Sequence, residues 1–412
     1  MFRKKMGRSQ SFGGRSNANA NRTRNNNRGR RFGRTSRMGG VRSGRSQFSD
    51  ISKFINHAVP MAEVEQYQAV NSFASFAIDE RLKKNIVDAG YNQLTPIQDQ
   101  SIPYVLDGRD LIGIANTGTG KTAAFIIPLL DKVVKDKKQN VVIIAPTREL
   151  AIQINQELIK FALGLRVFSV CAVGGLPIFR QINDLRRDHN FVIGTPGRLK
   201  DLIDRGRLRL NNFQTIVLDE SDRMLDMGFI HDMRFLMSAM PARHQTLFFS
   251  ATVTTDVKNV INDFLTDPIS ISVKTGDTAS GVDQDVVYVK NGVKFDLLHK
   301  LLIQPEFNKV LIFGRTKIGV ERLSELLSRR GLKSQSIHGN KNHSQRQQAL
   351  RLFKSDAVNV LVATDVAARG LDIPNVSHVI NYELPSSYED YIHRIGRTGR
   401  CGKTGKALTF IG

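Results

Sequence analysis

Asp110-Leu-Ile-Gly-Ile-Ala-Asn-Thr-Gly-Thr-Gly-Lys-Thr122 is the stretch that decides the fold. It opens with an apolar run of strand length, and Thr122–Leu130 continues it in a helical pattern. Between the two, Gly118 and Gly120 let the backbone turn tightly and aim N–H groups at phosphate oxygens. A strand, a glycine-rich turn ending in Lys-Thr and a helix together make a phosphate-binding loop. Thr117, Gly118, Thr119 and Gly120 supply its backbone. Lys121 is placed to pair with the β- and γ-phosphates of ATP, and the Thr122 hydroxyl to ligate Mg²⁺. Ala115 stands where the general pattern has its first glycine.

Outward from this loop, the apolar runs Leu111–Ala115, Val141–Ala145, Val167–Ala172, Phe191–Ile193, Ile216–Leu218 and Leu247–Phe249 read as buried strands. Leu150, Ile154 and Leu158 recur at helical spacing between two of them. The alternation implies βαβ units and a parallel sheet. Lys274–Gly281 is a linker by composition, after which the alternation restarts. Val310–Phe313, Ser336–Ile337, Val358–Val362, Val379–Ile380 and Ala407–Ile411 read as strands, with a helix around Leu323, Leu326 and Leu327. The expected class is α/β, with two tandem parallel-sheet domains: 48–273 binding ATP, a linker at 274–281, and a second domain at 282–412. Ile51–Tyr67 is expected as a short helix against the first domain.

The second feature is Asp219-Glu220-Ser221-Asp222, at the end of the run Ile216–Leu218. Open parallel sheets place ligands at the carboxyl ends of their strands. A phosphate-handling enzyme uses two carboxylates there. Asp219 is expected to hold Mg²⁺ and Glu220 to orient and activate the attacking water.

Charge is distributed unevenly. The chain carries a net +22, and residues 1–47 contain 14 Lys/Arg and no Asp or Glu, leaving 46 basic and 38 acidic residues in the remainder. Residues 1–47 are rich in Arg, Gly, Asn and Ser and too poor in apolar surface to offset ordering entropy, so a disordered basic arm is expected. A basic arm on a mildly basic body points to a polyanion, nucleic acid ahead of a membrane surface. Cys171 and Cys401 are the only cysteines, which argues against a disulfide framework or a structural zinc site. No apolar run approaches a membrane span and no signal-peptide core is present, so a cytoplasmic protein with no membrane partner is expected.

With both sites placed, about residues 73–412 resemble a DEAD-box ATP-dependent RNA helicase of bacterial type, two RecA-like domains with the motifs in family order. Ser221 stands where the family name expects Ala. Gly90-Tyr-Asn-Gln-Leu-Thr-Pro-Ile-Gln98 resembles the adenine-reading segment, Leu94 replacing the usual Pro. The resemblance implies that Gln98 hydrogen-bonds the adenine edge and that Phe73 or a neighbouring aromatic packs on the ring. Pro146-Thr-Arg-Glu-Leu150, Gly174-Gly175 and Thr195-Pro-Gly-Arg198 resemble the RNA-contacting motifs of the first domain, implying Arg148, Gly175, Thr195 and Arg198 for RNA. Each suits phosphate: a hydroxyl, a guanidinium, or a glycine exposing its N–H. Ser250-Ala-Thr252 resembles the motif coupling nucleotide state to RNA grip through Asp222.

In the second domain, Ile312-Phe-Gly-Arg-Thr316 resembles the opening motif. Ala363-Thr-Asp-Val-Ala-Ala-Arg-Gly-Leu-Asp372 implies Thr364 and Gly370 for RNA phosphate and Asp372 for the ATP ribose. His393-Arg-Ile-Gly-Arg-Thr-Gly-Arg400 implies Arg397 and Arg400 as arginine fingers, with His393 coupling the two sites. His338-Gly-Asn-Lys-Asn-His-Ser-Gln-Arg346 keeps Arg346 for RNA, with His343 in place of the usual Gln. The sequence ends soon after Ala407–Ile411, where the family usually adds a further helix. What the resemblance implies is RNA-stimulated ATP hydrolysis coupled to separation of short duplexes or to ribonucleoprotein remodelling. It also implies a monomer that takes single strands and short duplexes and has partners in ribosome assembly or RNA decay.

Overall fold

The computed structural model describes residues 54–56, 67–116, 118–252, 255–273, 281–290, 292–368, 373, 375–399 and 404–412. The expected basic arm, most of the linker, and the calls on Thr117, Gly370, Asp372 and Arg400 lie outside these residues.

Two parallel sheets carry the fold. The first contains β1 (Leu111–Ala115), β2 (Val141–Ile144), β3 (Ser169–Ala172), β4 (Phe191–Gly194), β5 (Thr215–Leu218), β6 (Gln245–Ser250) and β7 (Ile269–Val273), in the order β3-β4-β2-β5-β6-β1-β7. The second contains β8 (Val282–Tyr288), β9 (Val310–Gly314), β10 (Ser334–Ile337), β11 (Val360–Thr364), β12 (His378–Asn381) and β13 (Gly405–Ile411), in the order β10-β11-β9-β12-β13-β8. Every inner strand expected from the sequence is present. The two that were not expected, β7 and β8, lie at sheet edges, where the sequence alternates instead of running apolar.

The central strands β2, β4 and β5 are buried along their whole length because helices cover both faces. One face packs the helices Lys121–Lys135 and Arg148–Phe161, burying Phe125, Ile126, Leu150, Ile154 and Leu158. The other buries Leu199, Leu202, Leu236 and Val260. In the second sheet, the helix Lys317–Arg329 buries Val320, Leu323 and Leu327 against β9 and β11.

The strand order sorts the chemistry. β5, β6 and β1 are adjacent, so their carboxyl ends bring together Asp219, the Ser250–Thr252 segment and the phosphate loop. β3, β4 and β2 are also adjacent, so Gly174–Gly175, Thr195 and Arg148 gather on the other half of the same edge.

One expectation is corrected. The described part of 51–67 does not form a helix on the first lobe. Asn56 makes an isolated antiparallel bridge to Gln284 of β8, and Phe54 is buried against the second sheet. β8 is an edge strand with unpaired backbone groups, and that is what the bridge satisfies. Among the described residues, no helix is long and apolar enough to cross a membrane.

Candidate active site

The phosphate loop is built by its two glycines. Gly118 and Gly120 have φ of 87° and 90°, a region that side chains disfavour. Gly120 is also held from outside, since Gln98 Nε2 donates to its carbonyl at 3.1 Å while Gln98 Oε1 accepts from Thr95 N at 3.0 Å. A Cβ at Gly120 would strike that amide. Gln98 is fully buried, and the structure makes it a brace of the loop. Phe73 packs into the first-lobe core, whereas Tyr91 lines the cleft. Thr119 Oγ1 closes the turn on the Asn116 carbonyl at 2.8 Å. Lys121 is nearly buried, and its Nζ donates to the Ala115 carbonyl at 2.5 Å.

Asp219 and Glu220 face this loop from the end of β5. Burial pushes the Asp219 carboxyl up to about 7, against the pull of Lys121. Glu220 adopts a left-handed conformation with φ 50°, ψ 50°, which costs of order 1–3 kcal/mol for a non-glycine residue and clusters at functional sites. Its carboxylate is ion-paired with Arg223. Burial works to raise the Glu220 pKa, but Arg223, Arg397 and Lys121 outweigh it and hold the group below its ordinary value. The other two members of the tetrad point elsewhere. Ser221 Oγ donates to the Phe249 carbonyl at 3.0 Å. Asp222 Oδ2 accepts from Ala251 N at 3.0 Å, Thr252 N at 2.8 Å and Thr252 Oγ1 at 3.0 Å. Ser250 does not reach Asp222; its Oγ donates to the Thr252 carbonyl at 2.6 Å.

The second lobe supplies the opposite wall. A cleft of about 780 Å³ is lined by Gly118, Lys121, Thr122, Asp219 and Glu220 on one side and by Arg397 among others on the second-lobe side. His393 and Arg397 also share a smaller recess with Lys121, Glu220 and Asp222. Arg397 is almost wholly buried. The Asp219 carboxylate and the Thr122 hydroxyl line one cleft and are the hard oxygen donors that a magnesium ion takes. Asp219 and Thr122 therefore fit that ion by their chemistry.

The expected RNA residues lie on a separate face. The Arg148 guanidinium rests on Gly174–Gly175, where a Cβ at Gly175 (φ 77°) would collide with it. Thr195 caps the helix Pro196–Asp204, and Arg198 Nη1 reaches the Gln181 side chain at 2.8 Å. Thr364 ends β11. Arg346 of the second lobe crosses to Glu149 of the first at 2.8 Å, beside Arg148.

Sequence reasoning missed several contributors. Arg223 lies at i+3 from Glu220 on a helix, a spacing that signals contact. Glu149 and Asp99 are buried acids in first helical turns. Asp99 accepts from Tyr67 Oη, Val70 N and Asn71 N, fixing the lead-in beside Gln98. Arg394 is buried and joins three groups of the second lobe, Asp365, Asn381 and the Glu383 carbonyl.

Two family models match in tandem: "DEAD/DEAH box helicase" over residues 95–260 and "Helicase conserved C-terminal domain" over residues 293–402. The chain belongs to the DEAD-box helicases. This DEAD-box chain is 47% identical over 342 residues to the DEAD-box ATP-dependent RNA helicase CshA of Bacillus subtilis, covering 82% of this chain and 69% of that protein. It is 46% identical to the ATP-dependent RNA helicase CshA of Listeria monocytogenes, covering 83% and 66%. The chain thus spans about two thirds of the length of these relatives.

Among solved structures, Mss116p bound to single-stranded RNA and AMP-PNP matches with a TM-score of 0.76 at 31% identity, over 87% of this chain and 77% of that one. Saccharomyces cerevisiae Dbp5 bound to RNA and ADP BeF3 matches at 0.73 and 30%, over 82% and 89%. A DEAD box protein of Methanococcus jannaschii is more identical, at 37%, yet superposes at only 0.50 over 82% and 93%.

Proposed function

We propose that this DEAD-box helicase couples ATP hydrolysis to local opening of short RNA duplexes through closure of its two lobes. The observation that carries the reading is the shared cleft, in which Arg397 of the second lobe lies close enough to hold down the Glu220 pKa across the lobe boundary. In this reading Gly118, Thr119 and Gly120 cradle the phosphates with Thr117, and Lys121 neutralises them. Asp219 and Thr122 hold Mg²⁺, which when bound supplies charge stabilisation to the transferred phosphoryl group. Glu220 orients water and accepts its proton. Arg397, with Arg400, stabilises the transition state, an effect worth on the order of 10³–10⁵ in rate and available only when the lobes are together. Gln98 reads adenine while bracing Gly120. Phe73 supports that pocket from within the core, and Asp372 takes the ribose.

Arg148, Gly175, Thr195, Arg198, Arg346, Thr364 and Gly370 bind one RNA strand along its backbone, so sequence preference is weak. ATP and RNA both favour closure because each binds both lobes. Asp222, Thr252, Ser250 and His393 relay closure between the two faces. The protein works as a cytoplasmic monomer, the basic arm at 1–47 tethers RNA, and its partners belong to ribosome assembly or RNA decay.

The test is ATP hydrolysis with RNA, with DNA and with neither, on wild type and Glu220→Gln. RNA-specific stimulation that Glu220→Gln abolishes is expected. No RNA stimulation would leave an RNA clamp, equal stimulation by DNA would leave a DNA helicase, and normal turnover by Glu220→Gln would remove Glu220 from the mechanism.

A further inference from the structure

We propose that residues 54–56 are a strap that ties the two lobes together a second time, independently of the connection at 274–281. They precede the first lobe in sequence but dock on the second. Asn56 exchanges both backbone hydrogen bonds with Gln284, N to O at 3.0 Å and O to N at 2.7 Å, on the outer edge of β8. Two residues earlier, Phe54 is fully buried among Val282, Val286, Tyr391, Ile395 and Ala407. Its ring meets that of Tyr391 edge-on, with centroids 4.7 Å apart. Tyr391 Oη in turn donates to the Gln284 side chain at 3.0 Å, so one residue of β8 serves both the bridge and the aromatic pocket.

The same chain is next fixed at Tyr67–Asn71, on the first lobe. Asp99 gathers Tyr67 Oη at 2.7 Å, Val70 N at 2.8 Å, and Asn71 through N at 3.1 Å and Nδ2 at 2.8 Å. Eleven residue steps separate Asn56 from Tyr67, and whatever path they take they span at most about 40 Å. Any opening that parts the two anchors further must break one of them. Both anchors are also close to the chemistry. Asp99 follows Gln98, which holds the Gly120 carbonyl, and Phe54 packs on the helix Tyr388–Ile395, which leads directly into Arg397. The strap therefore joins the support of the phosphate loop to the support of the arginine finger. It raises the effective concentration of one lobe at the other, so that closure needs less RNA and less ATP.

The experiment uses the full chain as wild type, as Phe54→Asp, as Asn56→Pro, and with residues 1–47 deleted. Asn56→Pro removes one bridge donor from an exposed position and leaves the core alone, which covers the case in which Phe54→Asp folds poorly. Two quantities are read: hydrogen exchange of the Gln284 amide, and the poly(A) or random-sequence RNA concentration giving half-maximal ATP hydrolysis. Phe54→Asp is expected to expose the Gln284 amide, and Asn56→Pro, which keeps the carbonyl that amide reaches but loses the bond from Asn56 N to Gln284 O, to speed its exchange by weakening the dock; both are expected to raise the half-maximal RNA concentration by roughly threefold or more, with turnover at saturating RNA unchanged. Deletion of 1–47 is expected to leave that amide protected. Unchanged protection in both variants would overturn the docking. Lost protection with unchanged RNA half-saturation would overturn the tethering, and loss of protection on deleting 1–47 would assign the contact to the arm. The RNA readout rests on the activity proposed above and the exchange readout does not, so failure of one is distinguishable from failure of the other.

Discussion

Arg394 offers a sharp test of how the second lobe presents Arg397, the arginine finger proposed above. It is 1% exposed and donates four hydrogen bonds. Nε and Nη2 grip Asp365 Oδ1 and Oδ2 at 2.5 and 2.8 Å, and Nη1 reaches Asn381 Oδ1 at 3.1 Å and the Glu383 carbonyl at 2.7 Å. The guanidinium also lies 5.0 Å from the Phe313 ring centre. A lysine keeps the charge but has one nitrogen, so it cannot reproduce the fork on Asp365 while holding the other two acceptors. Arg394→Lys thus loses about two charge-assisted bonds, a cost of about 3 kcal/mol. Arg394→Met strands Asp365 as well and costs about 3–5 kcal/mol. The Asp365 side chain retains 20% exposure and recovers some water, which favours the lower end of that range. Denaturant unfolding followed by separate probes in the two lobes is the assay, because two lobes need not unfold in one step. The loss should fall on the second-lobe transition, and RNA-stimulated ATP hydrolysis should fall with it, since Arg397 lies one turn further on. A double-mutant cycle with Asp365→Asn should give a coupling of about 1.5–3 kcal/mol. An Arg394→Lys protein within about 0.5 kcal/mol of wild type, or strictly additive single effects, would refute the argument.

Three further outcomes follow from the same geometry. Ser221→Ala loses one hydrogen bond to the Phe249 carbonyl, about 1 kcal/mol, partly offset by better helix propensity, and should leave ATP turnover within about twofold; a tenfold fall would bring Ser221 into the chemistry. Gly113→Ala places a Cβ 2.5 Å from the Phe249 ring inside the core, so a loss of about 1–3 kcal/mol in thermal or denaturant unfolding is expected, with no loss marking an unexpectedly yielding core. His378 is stacked on Phe307 and burial, then Lys406, brings its pKa down from the ordinary 6.5 to about 4. The folded state keeps it neutral while the unfolded chain takes up a proton below 6.5. Stability from this residue is therefore complete above pH 6.5 and is lost as pH falls toward about 4, a dependence that urea midpoints should show and His378→Gln should flatten.

How far the sequence could be read depended on the range of the signal. The phosphate loop and the tetrad are contiguous, so their residue types state their chemistry. The inner strands are buried on both faces and read as apolar runs. β7 reads Ile-Ser-Ile-Ser-Val and β8 Val-Asp-Gln-Asp-Val-Val-Tyr, because an edge strand has one covered side and a mixed sequence hides it. Pairings such as Arg346 with Glu149, Asp99 with Asn71 and Phe54 with Tyr391 join distant positions, and nothing local marks either member. Arg394 was overlooked for another reason. It lies among other arginines in one short motif, and both Arg394 and Arg397 are buried, so only their surroundings separate the arginine bonded to Asp365, Asn381 and Glu383 from the one that lines the cleft.

The tetrad itself gives a physical account of how the cleft and the segment after β6 are linked. Four consecutive side chains go to four different places. Asp219 faces Lys121, Glu220 turns to Arg223 and the second-lobe Arg397, Ser221 ties to β6, and Asp222 grips the segment after β6. The turn that allows this puts Glu220 in a strained left-handed conformation, which persists only while its neighbours are held. A displacement of 251–252 by RNA or by the second lobe acts on Asp222 through three hydrogen bonds to one oxygen, and Asp222 is two residues from Glu220. On the function proposed above, Glu220 is thus positioned by residues 251–252 as well as by the nucleotide. On this account Thr252→Val, which removes one of the three bonds and keeps the shape, should lower RNA-stimulated turnover more than ATP affinity. A Thr252→Val protein that loses ATP affinity and turnover in equal measure would show instead that the segment only shapes the nucleotide pocket.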